Sequence, residues 1–448
     1  MNIKELSSKL QENGVVGAGG AGFPTYAKLD KRANIILLNC VECEPLLQLH
    51  KQMLEINAKE ITEAFHMIGQ AVEAEKLIIG IKKEYKKTIE ALEGVLEQYP
   101  NITLGLLDGI YPAGDEQVLI YELTGKVVPP GGIPIDIGIA VFNVETIYNA
   151  YKVFTMSEPV VEKLVSVVAE VVDPITVKVP IGISVAEVVA LAGGSKIADP
   201  VYFIGGPMMG YIGKGYMPVT KTTNAIMVLP KDHYLVQKKR KKTFIDIKRA
   251  AACCCQCTMC TDLCPRNLLG HPIEPHKFML AATCKDIQKP DIFLNTLYCS
   301  SCGLCELYSC FQELSPRSLM DEYKVELRKH GIRPSKDIKL KPVSAARTYR
   351  QVYVERLMSR IDLARYDKGA PIQDVLIPLK DVKINLSQHI GAPAITVVQR
   401  GDQVQKGQMI GKPAEGLSVG IHASIDGEVT EVSESCITIK AREGEAGK

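Results

Sequence analysis

The stretch "GVVGAGGAGFPTYAKL", residues 14–29, places five glycines within nine positions and follows them with Phe23, Pro24 and Lys28. Because glycine has no Cβ, a backbone rich in it can approach another group very closely. The stretch therefore predicts either a loop whose amides face a ligand or a tight turn with no further role. Its spacing does not follow G-x-G-x-x-G, so the choice depends on the sequence around it.

The sequence around this loop alternates between two patterns. The short apolar runs "ANIILLN" (33–39) and "KLIIGI" (76–81) are typical of buried strands, whereas "AKEITEAFHMIGQAVEAE" (58–75) has the apolar spacing of a helix. Strands that alternate with helices predict an α/β layer fold. We assign this pattern to a first domain over residues 1–165.

Later regions differ in composition and predict further domains. The stretch "ITVKVPIGISVAEVVALAGG" indicates a strand, a turn and a helix within a small β-rich domain over 170–232. A cysteine-rich segment covers 245–330, a helical pattern follows at 344–366, and frequent turns between Val- and Ile-rich runs predict an all-β domain over 372–448. The sequence thus predicts a multidomain protein of mixed α/β and α+β class.

The bulk composition excludes several classes of protein. With 448 residues, of which 46% are hydrophobic and 23% charged, the chain can form several globular cores. A net charge of +2 gives no reason to expect nucleic acid or an anionic membrane as a partner. No apolar run reaches the roughly 20 residues of a membrane span, and the start "MNIKELSSKLQENG" lacks the apolar core of a signal peptide. We expect a cytoplasmic protein.

One basic run interrupts this even distribution of charge. It covers Lys238–Lys242, between the small β-rich domain and the cysteine-rich segment. Runs of like charge are typically solvated, so we interpret it as a linker. Docking of an acidic partner is the alternative.

The cysteines carry the strongest chemical signal. There are fourteen, and most lie between Cys253 and Cys310. Disulfide frameworks belong to small secreted domains, so this clustering indicates metal binding. Four of them follow C-x2-C-x2-C-x3-C-P, the bacterial ferredoxin pattern for a [4Fe-4S] cluster: Cys254, Cys257, Cys260 and Cys264. A second run has one more residue in its last gap and a phenylalanine in place of the proline: Cys299, Cys302, Cys305 and Cys310.

In two-cluster ferredoxins the fourth cysteine of each run binds the other cluster. On that pattern we predict two clusters, the first held by Cys254, Cys257, Cys260 and Cys310 and the second by Cys299, Cys302, Cys305 and Cys264. Zinc is the alternative, although two triplets match its paired ligands poorly. We interpret Cys253 and Cys255 as loop residues that could replace a ligand, and Cys284 and Cys436 as small buried side chains.

Four motifs follow one another in the first domain: "GGAGFPTYAKL", "NCVECEP", "YPAGDEQVLIYELTGKVVPPGGIP" and "FNVETIYN". In this order they resemble the flavin- and NADH-binding subunit of respiratory complex I and, more closely, the C subunit of the Rnf electron-transport complex. The resemblance covers nearly the whole chain. It implies FMN and NADH contacts for Gly17, Gly19, Gly20, Gly22, Phe23, Lys28, Asn39, Glu42, Cys43, Glu44, Tyr111, Gly114, Asp115, Glu116, Asn143 and Thr146.

The same resemblance implies a role for each group of residues. The glycine loop lies against FMN in that family, so its amides would approach the phosphate and ring while Lys28 pairs with the phosphate. Phe23 corresponds to an aromatic residue near the nicotinamide, and Glu44 corresponds to an acid near the dinucleotide. The segment beside the isoalloxazine is matched by Asn39, Glu42 and Cys43. Cys40 also forms a C-x2-C with Cys43, which is either a packing feature or a redox-active pair.

Members of this family differ in the order of their domains along the chain. Residues 170–232 resemble its soluble-ligand-binding β-grasp domain, and 372–448 its lipoyl-like barrel-sandwich domain, which the Rnf subunit carries at the other end of the chain. Lipoyl and biotin carriers present a lysine at a hairpin tip. The corresponding stretch "GLSVGIHASIDGEV" has none, so we expect a docking or structural module.

This order, together with "CSSCGLCELYSCFQELSPRSL" (299–319), resembles the cobalamin reductases of the propanediol-utilisation microcompartment. That resemblance implies an enzyme that takes hydride from NADH onto FMN and passes single electrons through two [4Fe-4S] clusters to cob(II)alamin. It also implies a corrinoid adenosyltransferase and a microcompartment shell protein as partners, and leaves encapsulation open.

Two alternative functions remain at this point. The sequence has no D-x-H-x-x-G cobalt-binding motif, so an Rnf-like NADH:acceptor oxidoreductase that serves another protein is one alternative. A relay and docking subunit with a degenerate flavin site is the other. The complete glycine loop and the acids Asp115 and Glu116 favour an enzyme over such a relay.

Overall fold

The computed structural model describes residues 2–240, 243–285 and 288–442. In its N-terminal part, strands form where the short apolar runs predict them. The elements are α1 (Ile3–Glu12), a 3-10 turn (Thr25–Lys28), β1 (Ile35–Cys40), α2 (Leu49–Ile56), α3 (Ala58–Val72), β2 (Lys76–Lys82), α4 (Lys86–Leu96), β3 (Ile102–Leu107), β4 (Ile110–Tyr111), α5 (Glu116–Thr124), β5 (Ile139–Asn143) and α6 (Val144–Met156).

Four of these strands form one parallel sheet in the order β3-β2-β1-β5. Successive side chains of β1 point to opposite faces: Leu38 packs into a core with α3 and α6, whereas Leu37 packs into a second core with α5. Both faces of the sheet are therefore covered. This explains why its strands are continuous apolar runs rather than alternating ones.

A second sheet follows directly. Its elements are β6 (Glu162–Ala169), β7 (Ile175–Pro180), α7 (Val185–Leu191), β8 (Val201–Ile204), β9 (Tyr211–Gly213) and β10 (Ala225–Leu229). The strand order is β7-β6-β10-β8-β9, with β6 parallel to β10 and the other neighbours antiparallel. The sheet begins at Glu162, before the boundary at residue 170 that the sequence suggested, because β6 is the partner of both β7 and β10.

The cysteine-rich segment is made of short helices. They are α8 (Tyr234–Lys239), α9 (Thr243–Cys253), α10 (Met259–Asp262), α11 (Pro265–Leu268), α12 (Pro275–Cys284), α13 (Pro290–Leu294), α14 (Leu304–Leu307) and α15 (Pro316–Lys329). Phe278 of α12 makes edge-to-face contacts with Phe293 and Tyr323, which closes a small core beside the cysteines.

Two lysines of the basic run, Lys238 and Lys239, are not free in solvent as its charge predicts, whereas Arg240 is exposed. Lys239 ends α8 and donates to the backbone carbonyls of Met208 and Gly210, at 2.6 and 3.1 Å. Lys238 also donates to a backbone carbonyl. Burial lowers the pKa of Lys239. Lys241–Lys242 lie outside the described residues.

The helical pattern at 344–366 is also broken in the structure. Only α16 (Val354–Arg360) is α-helical there, preceded by the short strand β11 (Val352–Tyr353). β11 pairs with β4 of the N-terminal part, and this pairing accounts for the loss of helix before residue 354. The next strand, β12 (Ile372–Gln373), joins the second sheet beside β7.

The C-terminal region is all β, as the sequence predicts. Its strands are β13 (Asp381–Asn385), β14 (Ile395–Thr396), β15 (Gln403–Val404), β16 (Met409–Lys412), β17 (Ile421–His422), β18 (Gly427–Val432) and β19 (Cys436–Ala441). They form two sheets, ordered β13-β19-β18-β15 and β14-β16-β17, around one core.

A buried lysine joins this region to the start of the chain. Lys221 Nζ donates to the carbonyl oxygen of Gly14, just before the glycine loop, at 2.7 Å and to that of Gly420 at 3.1 Å. Burial lowers the pKa of Lys221 to about 7. Within the described residues, no helix combines the length and apolar character needed to cross a membrane.

Two helical glycines provide a matched test of the packing between α3 and β2. A Cβ on Gly69 of α3 would come within 2.5 Å of a Leu77 methyl group, whereas a Cβ on Gly94 of α4 would meet open space. Alanine adds about 1 kcal/mol of helix propensity at either position. At Gly69 the added methyl group also overpacks the core, which lowers the free energy of unfolding by about 1–3 kcal/mol. We expect Gly69→Ala to be less stable than Gly94→Ala by that amount in urea unfolding; equal midpoints would contradict the packing.

Candidate active site

A cavity of about 420 Å³ lies at the carboxyl ends of β1 and β5. From β1 the sheet continues to β2 on one side and to β5 on the other, and ligands of open parallel sheets bind at such a switch point. Most of the predicted cofactor contacts line this cavity: Gly17, Gly19, Gly20, Phe23, Lys28, Asn39, Glu42, Cys43, Glu44, Gly114, Glu116, Asn143 and Thr146.

The glycine loop is fixed at both ends by hydrogen bonds. The amide of Gly17 donates to the carbonyl of Phe23 at 2.9 Å, and the amide of Ala18 donates to Thr146 Oγ1 at 2.9 Å. Gly20 has a φ of +67°, which L-residues with a Cβ rarely adopt. The loop is thus held against the first turn of α6 and directed into the cavity.

Gly114 lets a second loop reach the end of β1. A Cβ on Gly114 would lie 2.4 Å from the carbonyl oxygen of Val41. Asn39 joins the two segments, because its Nδ2 donates to the Gly114 carbonyl at 3.0 Å and its Oδ1 accepts from the Val41 amide at 3.0 Å. Only glycine fits at this contact without moving the backbone.

Lys28 is the cation of the cavity wall. Its Nζ donates to the carbonyl oxygen of Val141 at 2.8 Å and lies 3.3 Å from Glu116 Oε1. The same Nζ lies 5.9 Å from the ring centroid of Phe23. The ammonium group is thus held at the cavity by a carbonyl and a carboxylate while its side chain stays partly exposed.

Three polar residues that the sequence did not single out also line the cavity. Thr25 Oγ1 and Asn224 Oδ1 are buried and have no hydrogen-bond partner among the described residues. Buried polar atoms are nearly always paired, so both are available to a polar ligand. The third is His50, whose Nε2 lies 3.3 Å from Asn143 Nδ2, and burial lowers the pKa of His50 to about 3.

Two of the three glutamates that line the cavity, Glu42 and Glu44, already accept hydrogen bonds from backbone amides. Glu42 accepts the amide of Lys51 at 3.1 Å, at the start of α2, and burial raises its pKa. Glu44 accepts the amides of Met208 and Met209 at 2.9 and 3.0 Å, and burial raises its pKa as well. Glu44 therefore connects the cavity to the loop between β8 and β9.

Three predicted contacts lie outside the cavity. Gly22 packs against the C-terminal region, where a Cβ would come within 3.0 Å of the Gln388 carbonyl oxygen. Tyr111 is buried and its hydroxyl donates to the carbonyl oxygen of Cys302 at 2.6 Å. Asp115 caps α5 and pairs with Arg266 at 2.8 Å. The last two thus face the cysteine-rich segment.

The C-x2-C of Cys40 and Cys43 is divided between two environments. Cys40 is fully buried in the core with α3 and α6, and burial raises its pKa well above the ordinary value. Cys43 lines the cavity, and burial raises its pKa to about 12. Both side chains are therefore protonated thiols at neutral pH, which argues against nucleophilic thiolate chemistry.

The eight cysteines of the two runs line two small cavities. Cys254, Cys257, Cys260 and Cys310 line the first, which we call the outer cysteine cavity. Cys264, Cys299, Cys302 and Cys305 line the second, the inner cysteine cavity. These are the two sets that the exchange of fourth cysteines predicts. Among the described residues, no three Cys, His, Asp or Glu side chains form a site for a single metal ion.

The backbone around both cavities repeats the same conformation. Gln256 and Ser301, two residues after the first cysteine of each run, have φ of +52° and +59°. Thr258 and Gly303, one residue after the second cysteine, have φ of +64° and +82°. Such turns direct successive amides to one side, and the amide of Ser301 donates to Cys299 Sγ at 3.3 Å. Four thiols with amide donors around each cavity fit an iron-sulfur cluster.

The remaining cysteines differ from one another. Cys255 lines the outer cysteine cavity beside Cys257, whereas Cys253 is exposed at the end of α9. Cys436 is buried, as the sequence suggested. Cys284 is exposed, contrary to that expectation, because it ends α12 on the solvent side.

Family models match three parts of the chain. Residues 10–152 match the Nuo51 FMN-binding domain, 253–315 a 4Fe-4S dicluster domain, and 364–444 the RnfC barrel sandwich hybrid domain. Structures of an NAD+-reducing [NiFe]-hydrogenase in the H2-reduced and air-oxidised states share the fold, each with a TM-score of 0.51 and 18% identity. The first match covers 78% of this chain and 66% of the hydrogenase chain, the second 80% and 67%.

Two relatives match over almost the entire length. Cobalamin reductase PduS of Citrobacter freundii is 37% identical over 440 residues, which cover 98% of this chain and 97% of that protein. Cobalamin reductase PduS of Salmonella typhimurium is 38% identical over 441 residues, with the same coverage. Identity at this level over whole chains shows common membership. This chain therefore belongs to the PduS family of cobalamin reductases.

Proposed function

We propose that this chain is an NADH-dependent oxidoreductase that passes electrons through FMN and two [4Fe-4S] clusters to cob(II)alamin. The observation that carries the proposal is the set of three cavities: one at the sheet switch point within the FMN-domain match, and two lined by four cysteines each within the dicluster match. The PduS relatives, named as cobalamin reductases, support the acceptor.

The proposed FMN site uses the cavity at β1 and β5. The amides of Gly19 and Gly20 and the ammonium group of Lys28 would hold the phosphate. The unpaired oxygens of Thr25 and Asn224 would contact polar atoms of the cofactor. When bound, FMN accepts hydride and releases single electrons, and the clusters carry those electrons one at a time.

The proposed NADH contacts lie at the mouth of the same cavity. Phe23, Lys28 and Glu116 line both this cavity and an adjoining one of about 290 Å³ that extends over residues 133–135. The aromatic ring of Phe23 suits a nicotinamide, and the carboxylate of Glu116 suits a ribose. These residues would orient NADH against the flavin.

The division into domains is also part of the proposal. We assign FMN and NADH binding to 1–165, the two clusters to 245–330 and the barrel-sandwich module to 372–448. The sheet over 162–229, with a hairpin, a packed helix and a central parallel pair, supports a β-grasp domain at 170–232 extended by β6. We place the protein in the cytoplasm, with a corrinoid adenosyltransferase and a microcompartment shell protein as candidate partners.

An Rnf-like NADH:acceptor oxidoreductase is the second candidate. The absence of a D-x-H-x-x-G motif from the sequence favours it, since nothing in the chain marks a corrinoid site. Anaerobic reconstitution with iron, sulfide and FMN separates the two. We expect NADH to reduce both a generic dye and cob(II)alamin, with cob(I)alamin trapped by an adenosyltransferase. Reduction of the dye alone would indicate that the electron acceptor is a protein partner and not cob(II)alamin.

Glu116 is expected to support the use of NADH. Glu116→Gln removes the negative charge beside Lys28 and a hydrogen-bond acceptor at the cavity mouth. A hydrogen bond to a charged group contributes about 1.5–3 kcal/mol, so we expect KM for NADH to rise about tenfold or more. FMN and iron content should stay unchanged. The matched control is Glu73→Gln, which alters an exposed ion pair with Lys31 in the same domain. Loss of FMN from Glu116→Gln would contradict the proposed NADH site at the cavity mouth.

Cys257 is expected to hold one of the two clusters. Cys257→Ser should lower the iron and sulfide content by half, because one thiolate ligand of the outer cysteine cavity is lost. Bleaching of the flavin by NADH should persist. Cys284→Ser, which changes an exposed cysteine outside both cavities, should retain all iron. If NADH no longer bleaches the flavin in Cys257→Ser, the FMN/NADH domain and the cysteine-rich segment do not function separately.

A further inference from the structure

We infer an order for the two clusters, which rests on the proposed function. The inner cysteine cavity, with Cys264, Cys299, Cys302 and Cys305, holds the cluster that receives electrons from the flavin cavity. The outer cysteine cavity, with Cys254, Cys257, Cys260 and Cys310, holds the cluster that delivers them to the acceptor at the protein surface.

Tyr111 provides the first connection between the flavin cavity and the inner cysteine cavity. Its hydroxyl donates to the carbonyl oxygen of Cys302 at 2.6 Å, and it lies three residues before Gly114, which lines the flavin cavity. Cys43, which also lines the flavin cavity, packs against the buried core that contains Tyr111 and Cys302. One buried core and one hydrogen bond therefore link the two cavities.

The loop between β8 and β9 provides the second connection. Glu44 lines the flavin cavity and accepts the amide of Met208 at 2.9 Å. Met208 is fully buried beside the inner cysteine cavity, where a Cβ on Gly303 would lie 3.4 Å from the Met208 carbonyl oxygen. Lys239 holds the same loop from the other side through that carbonyl oxygen. Hydrogen bonds to Glu44 and Lys239 therefore fix this connection.

An ion pair fixes the relative position of the two cavities. Asp115 lies between Gly114 and Glu116, both of which line the flavin cavity, and Arg266 follows Cys264 by two residues. Their side chains meet at 2.8 Å and are only 13% and 11% exposed. Because a buried pair tolerates little displacement, it holds the inner cysteine cavity against the flavin domain.

The outer cysteine cavity has the opposite surroundings. Cys257 is exposed, and Phe311, which lines the same cavity, is 58% exposed. By contrast, Cys264, Cys302 and Cys305 of the inner cavity are buried. Electrons thus have a protein route to the inner cavity and a surface exit from the outer one.

The electrons balance along this route. Hydride from NADH brings two electrons to FMN and leaves NAD+, and each [4Fe-4S] cluster accepts one electron at a time. The two cysteine cavities adjoin, because α10, which carries Cys260, packs against α14, which carries Cys305, and both side chains belong to one core. When both clusters are bound, the inner set of cysteines would hold the cluster that receives each electron and the outer set the cluster that passes it on. The two electrons of one NADH would then reduce two cob(II)alamin to two cob(I)alamin.

Two single-ligand variants test the order by electron paramagnetic resonance. After reconstitution, Cys302→Ala should lack the inner cluster, and its remaining cluster should be reduced by dithionite but lose its rapid reduction by NADH. Cys257→Ala should lack the outer cluster and keep rapid NADH reduction of the remaining one. Dithionite reduction in both variants shows that each is folded and loaded. The reverse pattern, or rapid NADH reduction of the remaining cluster in both variants, would overturn the order.

The unmodified protein gives an independent measurement. A soluble gadolinium chelate shortens the spin relaxation of clusters near the surface, so it should act mainly on the signal that Cys257→Ala lacks. Equal effects on both signals, or a stronger effect on the signal that Cys302→Ala lacks, would contradict the surface position of the outer cluster. If NADH bleaches no flavin in the unmodified protein, or no iron is bound, the proposed function itself fails, which is a different result from a changed order.

Discussion

The approach of the loop at Gly114 to the end of β1 is the contact on which the two halves of the molecule depend. A side chain at this position would collide with the Val41 carbonyl oxygen. Because the loop can come this close, Asn39 fixes it, and its neighbours then point in opposite directions. Glu116 lies at the cavity beside Lys28, whereas Asp115 reaches Arg266 in the cysteine-rich segment. One tight backbone contact thus determines both a cofactor cavity and the docking of the metal-binding part.

The environment between the cavities is polar in composition but shielded from solvent. Glu42, Glu44 and Glu306 are carboxyl groups whose pKa is raised by burial, and each accepts backbone amides in compensation. Buried carboxylates of this kind are costly unless they are fully hydrogen-bonded. Here they hold the starts of helices and the loop between β8 and β9, so they contribute to positioning. The same shielding keeps the thiols of Cys40 and Cys43 protonated.

Local signals made much of this arrangement predictable. The alternation of strands and helices indicated the parallel sheet, the cysteine spacing indicated the two sets that line separate cavities, and the ordered motifs indicated the family, which the relatives confirm. Contacts between distant parts of the chain left no such signal. Tyr111 and Asp115 belong to a cofactor motif yet face the cysteines, and Asn224 joins the cavity from a different sheet. The pairing of β11 with β4 replaced a predicted helix for the same reason.

The hydrogen bonds of Lys221 have a consequence for how the parts of the molecule depend on one another. Its ammonium group joins the carbonyl of Gly14, at the entrance of the glycine loop, to that of Gly420. These two carbonyls belong to parts of the molecule with separate cores. Proteins open locally as well as globally, and such openings involve whole structural units. An opening that moves the C-terminal region away would therefore remove one partner of Lys221 and loosen the entrance of the cofactor loop.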